Sequence, residues 1–264
     1  MAYLYRERRY FCGNYLEVDI FPVFKHARGR RSKYKPTSEV QQKLNEHNAT
    51  QKLIRILNAN FSSDDLEIHL TFDDENLPKT PDEAARDVQN FLRRVKRMRK
   101  KLGLDDLKYV CVTEGGSNGT RYHYHITLNG GIDRDELEKL WGFGYANSRR
   151  LQFNENGIEG LARYITKQFR EKKAEILFKK RWTASKNLII PPPKDRDGKI
   201  SAKRVREIAE SEVFEQWKIE RLYPGYEFAS GSSFHNDRNN GFYLCLRLYR
   251  KASAFDNRKR KKGR

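Results

Sequence analysis

The amino-acid sequence predicts an α+β fold whose core is an antiparallel sheet with a ferredoxin-like, or RRM-like, order of elements. Residues 66–72 alternate apolar and polar side chains, which is typical of a strand with one buried face. Two more strands, 107–113 and 122–128, flank a glycine-rich turn, and a fourth is expected at 145–153. Helices after the first and third strands complete a β-α-β-β-α-β order, in which one face of the sheet is covered and the other is free to bind a ligand.

Capping signals define the helices of this core. Thr80, Pro81 and Glu83 supply an N-cap, a proline at the first helical position and a capping-box glutamate, and apolar residues then continue at helical spacing. A short helix begins at Asp133, and a further helix opens at Asn156. We therefore expect three helices between and after the four strands.

Additional elements precede and follow the core. They are a strand, a helix, a second helix and a last strand at residues 15–21, 38–58, 201–222 and 242–249. A run of three prolines at 191–193 marks the clearest boundary, and the basic tail is typical of a disordered segment. We predict an N-terminal extension at 1–62 packed on the core, a core at 63–193 and a C-terminal segment at 194–264.

The charge of the chain indicates a polyanionic partner. It holds 54 lysines and arginines against 35 aspartates and glutamates, a net charge of +19, with a pI near 9.8. We find no apolar run long enough to span a bilayer and no signal-peptide pattern, so nucleic acid is favoured over membrane. Cys12, Cys111 and Cys245 are odd in number and widely spaced, which argues against a disulfide framework and fits a reducing cytoplasm.

Two histidines one residue apart form the most informative motif. His123 and His125 share one face of the third strand because successive strand side chains alternate, and Glu114 ends the neighbouring strand across the turn. Two imidazoles and a carboxylate can bind a divalent cation, and activation of a phosphodiester favours Mg²⁺ or Mn²⁺. The alternative is that both histidines are polar residues on an exposed sheet face.

A tyrosine on the last core helix is the candidate nucleophile. Tyr164 lies at the flank of the apolar stripe of that helix, and Lys167 follows one turn later on the same side. A phenolate both attacks phosphorus and leaves readily, which makes a covalent step reversible, and the lysine would lower the phenol pKa or stabilise developing charge. The alternative is a tyrosine of the hydrophobic core.

Basic segments outside this cluster are candidate DNA contacts. Their members are Arg149, Arg150, Lys180, Arg181, Trp182 and Lys186. The cations would track phosphates, and the indole would stack on a base. The alternative for this set is a solvated surface. A solvated surface is also the first expectation for the basic helix face at 93–101, with support of duplex binding as the second.

Three segments, in this order, resemble the motifs of the HUH endonucleases in their single-tyrosine replication-initiator branch. They are the apolar strand at 70–72, the His123-Tyr124-His125 motif and the stretch from Tyr164 to Lys167. Tyr124 departs mildly from the pattern, since most members carry an aliphatic or other bulky residue there. The likeness covers about residues 15–193 and looks like the rolling-circle replication-associated (Rep) proteins of bacterial phages, plasmids and integrated elements.

The resemblance implies a cation held by His123 and His125, with Glu114 completing the ligand set. Gln168 competes for the third position, because some single-tyrosine transposases of the superfamily draw this ligand from the tyrosine helix. Glu114 is favoured, since a carboxylate suits Mg²⁺ or Mn²⁺ better than a neutral amide does.

The resemblance also implies a site-specific nicking and joining reaction on single-stranded origin DNA with a stem-loop. Tyr164 would attack one phosphate, keep a 5′-phosphotyrosine link and release a 3′-hydroxyl for a host polymerase, and Lys167 matches the lysine of the third motif. The sequence contains no GxxxxGK pattern followed by Ser or Thr, so strand separation would need a host helicase in the bacterial cytoplasm.

Two other functions stay open at this point. A single-tyrosine transposase or relaxase of a mobile element would use the same chemistry on element ends or on a transfer origin. A non-catalytic module would bind nucleic acid through an RRM-like sheet, with Tyr122 and Tyr124 as stacking platforms.

Overall fold

The computed structural model of the chain describes residues 4–24, 39–115, 121–153, 158, 160–162, 182–211, 213–237 and 239–251. The chain forms two compact units. We call Val40–Asn154 with Ile158–Ile189 the central unit, and Met1–Glu39 with Glu155–Gly157 and Ile190–Arg264 the flanking unit. The described strands form two five-stranded antiparallel sheets, one in each unit, and several helices accompany them, so the predicted α+β class is confirmed.

The elements are numbered in chain order over the described residues. The strands are β1 (Leu4–Cys12), β2 (Tyr15–Val23), β3 (Leu66–Phe72), β4 (Tyr109–Glu114), β5 (His123–Leu128), β6 (Gly144–Arg150), β7 (Thr183–Ala184), β8 (Lys194–Asp197), β9 (Tyr226–Asn236) and β10 (Gly241–Arg250). The helices are α1 (Glu39–Asn60), α2 (Pro81–Lys101), α3 (Arg134–Lys139), α4 (Ala202–Ala209) and α5 (Gln216–Leu222). Within the described ranges, no helix is long and apolar enough to cross a membrane.

The sheet of the central unit has the strand order β6-β3-β5-β4-β7. β5 lies between β3 and β4 and pairs antiparallel with both, which is the arrangement of a split β-α-β unit. The four strands predicted for the core are confirmed as β3, β4, β5 and β6, with small shifts at their ends. Of the core helix predicted from Asn156 onward, only residues 158 and 160–162 are described.

Capping explains where α2 begins. Thr80 Oγ1 accepts a hydrogen bond from the Glu83 N–H at 3.2 Å, and Pro81 is the first helical residue. The Glu83 carboxylate in turn accepts a hydrogen bond from the Lys79 N–H at 2.8 Å. The predicted helix start is therefore confirmed, and so is the cap of α3, where the Asp133 side chain accepts from two backbone N–H groups.

A hydrophobic core lies between the apolar face of the central sheet and helices α2 and α3. Trp141 is fully buried in it, its ring packs edge-on against Phe72 and Phe91, and its Nε1–H donates to the Thr71 carbonyl oxygen at 3.0 Å. Because strand side chains alternate, burial of the apolar set sends its sequence neighbours to the opposite face. That opposite face carries the histidines.

The sheet of the flanking unit has the strand order β8-β1-β2-β10-β9, and α4 and α5 pack against one of its faces. Two of its strands were predicted, at 15–21 and 242–249, and are confirmed as β2 and β10. The helix predicted at 38–58 is confirmed as α1. Strands β1, β8 and β9 carry weaker alternation and were not predicted.

The single helix predicted at 201–222 is wrong, because the segment contains two short helices, α4 and α5. Val213 was assigned to the buried stripe, yet it lies between the helices and is 75% exposed. The buried contacts come from Val205 on α4 and Ile219 on α5. Each short helix thus turns its own apolar side to the core, which one continuous helix through 213 would not achieve.

Candidate functional site

The strand register brings three histidines together on the polar face of the central sheet. His69 of β3 lies opposite His125 of β5, and Thr71 lies opposite His123. On the other side of β5, Glu114 of β4 also lies opposite His123. Side chains directly opposite each other on neighbouring strands have their Cβ atoms about 5 Å apart, so these residues form one cluster.

His125 is at the centre of this cluster and is 5% exposed. Its Nε2 lies 3.2 Å from Glu114 Oε2, so the ring N–H donates to that carboxylate. Its Nδ1 lies 3.7 Å from Glu67 Oε1, which is an electrostatic contact rather than a hydrogen bond. The His69 ring stacks on the His125 ring, with 4.6 Å between centroids and 11° between planes. His125 is thus fixed from three sides.

Two carboxylates hold a positive charge on His125. Burial lowers the pKa of this imidazole, but the contacts with Glu114 and Glu67 outweigh burial and raise the pKa to about 9. The hydrogen bond from His125 correspondingly lowers the pKa of Glu114. This point on the sheet therefore stabilises positive charge.

The other two imidazoles are favoured in their neutral form. Burial lowers the pKa of His69, and the nearby His125 lowers it further. Burial also lowers the pKa of His123, whose Nδ1 lies 3.1 Å from Thr71 Oγ1. A neutral imidazole has a nitrogen lone pair to offer a metal ion, so both residues have the protonation state that a ligand needs.

Arg149 completes the electrostatics from β6. Its Nε and Nη2 both lie 2.7 Å from Glu67 Oε2, while 63% of its side chain is exposed. Burial would raise the pKa of Glu67, but His125 and Arg149 overcome this effect and lower it. Arg149 was predicted as a DNA contact, and its contact within the chain is with the buried carboxylate behind His125.

The three predicted metal ligands share one face but do not converge on one point. Glu114 contacts His125, whereas His123 contacts Thr71. Among the described residues, the trio whose ligand atoms all lie within 4.8 Å of one another is Glu17, Asp19 and Cys245 of the flanking unit. The chemistry of the donors nevertheless fits a divalent cation, since two imidazoles and a carboxylate suit Mn²⁺ and related ions.

The remaining predicted site residues are distributed differently. Tyr164, Lys167, Gln168, Lys180 and Arg181 lie outside the described residues. Arg150 is exposed at the end of β6, 3.7 Å from Asp64 Oδ1. Trp182 is partly buried next to β7, and Lys186 is exposed beside α2, away from the histidine cluster.

Sequence reasoning missed His69 and Glu67, which lie within the cluster. Both residues are on the polar side of β3, in the same alternation that predicted the strand. The signal was therefore present, since a strand that neighbours the two histidines contributes its own polar face. What was lacking was the pairing of β3 with β5, which no local pattern specifies.

The fold and this cluster define a nucleic-acid-processing class of protein, and comparison with known families specifies it. Residues 65–169, from the start of β3 to beyond β6, match the model of the Replication-associated protein ORF2 family. The matched segment holds every residue of the histidine cluster. No curated protein and no solved structure matches the chain significantly.

The chain therefore carries a domain of this replication-associated family, and the expected kinship with rolling-circle Rep proteins is confirmed. This family assigns it a role in DNA replication, with DNA as a partner. The HUH chemistry stays a prediction.

Proposed function

We propose that the protein is a metal-dependent endonuclease that nicks and rejoins single-stranded origin DNA to initiate rolling-circle replication. The observation that carries this proposal is the histidine and carboxylate cluster on the free face of the sheet, inside the segment that matches the replication-associated family. Cutting DNA to expose a 3′-hydroxyl is a reaction that replication initiation requires and that such a cluster can support.

His123, His125 and Glu114 would hold Mg²⁺ or Mn²⁺, which when bound polarises the phosphate and neutralises its charge. His125 would exchange its proton for the cation, and His123 would turn from Thr71. Glu67, backed by Arg149, lies behind His125 Nδ1 and would keep that ring oriented, as carboxylates behind metal-bound histidines commonly do.

Tyr164 is the proposed nucleophile. Its phenolic oxygen would form a bond to phosphorus, and the bond from phosphorus to the 3′-oxygen would break, leaving a 5′-phosphotyrosine and a 3′-hydroxyl. Lys167 would stabilise negative charge on the phenolate. Both residues belong to the segment that matches the family, which supports their assignment.

The structural positions of two tyrosines argue against a non-catalytic module. Tyr124 is fully buried and Tyr122 is buried in the core, on the side of the sheet that α2 covers. Neither ring is available to stack on a base. A transposase or relaxase of a mobile element would use the same cluster, and the family match to replication-associated proteins favours initiation over these activities.

The proposal includes partners outside the chain. Single-stranded origin DNA, in a stem-loop, would be the substrate, and a host polymerase would extend the released 3′-hydroxyl. A host helicase would separate the strands, since the sequence lacks a nucleotide-binding GxxxxGK motif. All of these partners would meet the protein in the bacterial cytoplasm.

The test is covalent trapping on labelled single-stranded hairpins with Mn²⁺. The wild-type protein should form an adduct on a denaturing gel that requires both the metal and Tyr164, so Tyr164→Phe should form none. Tyr145→Phe is the matched control, because Tyr145 is a 75% exposed tyrosine on the same sheet face as the histidines. An adduct that survives in Tyr164→Phe would refute the assigned nucleophile, and binding without an adduct in any protein would refute the nicking activity.

A further inference from the structure

The outer face of α2 carries a stripe of uncommitted cations. Arg93, Lys96, Arg97 and Lys100 are exposed and follow one another at helical spacing, so they share one face. Over the described residues, none of these four side chains has a hydrogen-bond or ion-pair partner. At 1.5 Å per residue the stripe extends for about 10 Å.

The other two arginines in this half of the helix are committed to the fold. Arg94 donates to the carbonyl oxygens of Leu140 and Trp141 at 2.8 and 2.7 Å. Arg99 is buried and donates to the carbonyl oxygens of Asp105, Asn129 and Gly130. The contrast separates two arginines that fix loops from four cations that are available to a ligand.

The stripe borders a continuous groove. Two cavities of about 470 and 830 Å³ lie along α2 and share Arg93, Lys96, Asp106 and Leu107 in their walls. Lys186 adds a further cation from the loop that follows β7. Seven basic side chains line the two cavities against the two carboxylates of Asp105 and Asp106, so a polyanion is the complementary occupant.

The composition of the groove favours a duplex over a single strand. Binding of single strands depends on aromatic rings that stack on bases, whereas binding of a duplex backbone depends on cations and hydrogen-bond donors. Among its described lining residues the groove has one aromatic ring, that of Tyr109, and it is partly buried. The neutral polar side chains of Gln89, Asn90 and Asn187 add hydrogen-bonding groups beside the cations.

The groove and the histidine cluster lie on opposite sides of the central sheet. α2 packs on the apolar face through Val88, Phe91 and Val95, whereas His125 belongs to the opposite face. A ligand in the groove therefore does not compete for space with a strand at the histidines. We infer that the α2 groove binds the phosphate backbone of duplex DNA next to the strand that is cut. The inference rests on the proposed function only for naming this duplex as origin DNA.

The test measures binding of a labelled blunt-ended 20-base-pair duplex in EDTA over a series of salt concentrations. Removing three cations, in Lys96→Gln/Arg97→Gln/Lys100→Gln, should weaken binding by at least about tenfold and reduce the slope of log K against log salt by about 2–3. The matched control removes three exposed cations of the flanking unit, in Lys199→Gln/Lys203→Gln/Arg204→Gln, and should change binding by less than about twofold.

Two further variants sharpen the result. Exchanging the cations, in Lys96→Arg/Arg97→Lys/Lys100→Arg, should retain affinity, and Asp106→Asn should strengthen binding because it removes a negative charge from the groove wall. An equal loss in both triple variants, or no loss in either, would overturn the inference. A loss confined to single-stranded DNA would also overturn it. Adduct formation on a short hairpin is measured in parallel, so its absence from the wild type would count against the nicking activity alone.

Discussion

In the central sheet, burial acts on groups that neutralise one another, whereas in the flanking sheet it acts on groups that all become negative when they ionise. His125 is buried between two carboxylates and its pKa rises to about 9. On β2 of the flanking sheet, burial and the neighbouring Glu17 raise the pKa of Tyr15. Burial, with Asp19 and Glu17, likewise raises the pKa of the Cys245 thiol. Both sheets expose a polar face, but only the central one is organised around positive charge.

The difference shows that close packing of ligand atoms is not enough to make a metal site. Glu17, Asp19 and Cys245 lie closer together than the predicted ligands do. However, a thiol with a raised pKa keeps its proton and is a poor ligand. Arg247 lies opposite Glu17 on β10 and supplies positive charge without a metal. The cation site is therefore expected in the central sheet.

The largest expected effect separates the two faces by activity. His125→Ala should reduce the rate of adduct formation by at least about 1000-fold, because it removes a metal ligand. Cys245→Ala in the flanking sheet should change the rate by less than about threefold. Equal rates in the two variants, measured by single-turnover trapping with Mn²⁺, would show that the comparison assigns the chemistry to the wrong sheet.

The helix-covered sides of the two sheets should differ in how much one residue contributes to stability. Trp141→Ala should lower the free energy of unfolding by about 3–5 kcal/mol, since it leaves a cavity among Phe72 and Phe91. Tyr223→Phe in the flanking unit should cost about 1–3 kcal/mol, because Tyr223 donates a 2.7 Å hydrogen bond to the buried Glu7. Urea denaturation followed by circular dichroism gives both values, and a reversed order would contradict the packing described above.

Stability should depend on pH differently in the two sheets. The folded-state pKa of His125, about 9, lies above the ordinary histidine value of 6.5, so its contribution is complete below pH 6.5 and is lost as the pH rises to 9. The metal-free protein should therefore lose about 1–3 kcal/mol across this range. The raised pKa values of Tyr15 and Cys245 act only above about pH 9, where the unfolded chain would ionise.

Glu67→Gln provides the control for this pH dependence. It removes one of the two carboxylates that raise the pKa of His125, so the loss between pH 6.5 and 9 should become smaller. Urea titrations in EDTA at several pH values measure the change. An unchanged pH dependence in Glu67→Gln would show that the cluster does not determine the charge of His125.

The smallest effect is expected at the edge of the flanking sheet. Arg8 and Asp195 form a two-pronged ion pair between β1 and β8, with both distances at 2.8 Å. The pair is largely accessible to solvent, so Asp195→Asn should lower the free energy of unfolding by about 1 kcal/mol or less. A loss similar to that of Tyr223→Phe would indicate that β8 depends on this pair.

Local sequence patterns determined much of the central unit. Alternation gave β3 and β5 and placed His123 and His125 on one face, and the capping residues Thr80 and Glu83 gave the start of α2. These features depend on residues within a few positions of each other, which is why they can be read without the fold. The break between α4 and α5 was missed for the converse reason, since burial of distant neighbours decides it.

The sequence by itself determined the class of fold, the basic character and the paired histidines of this protein. Only the tertiary structure decided which groups surround those histidines. Thr71 meets His123 across 52 residues of chain, and the same pairing brings His69 and Glu67 to His125. Register between distant strands is set by burial of their apolar faces together, and this is a property of the whole sheet rather than of any one strand.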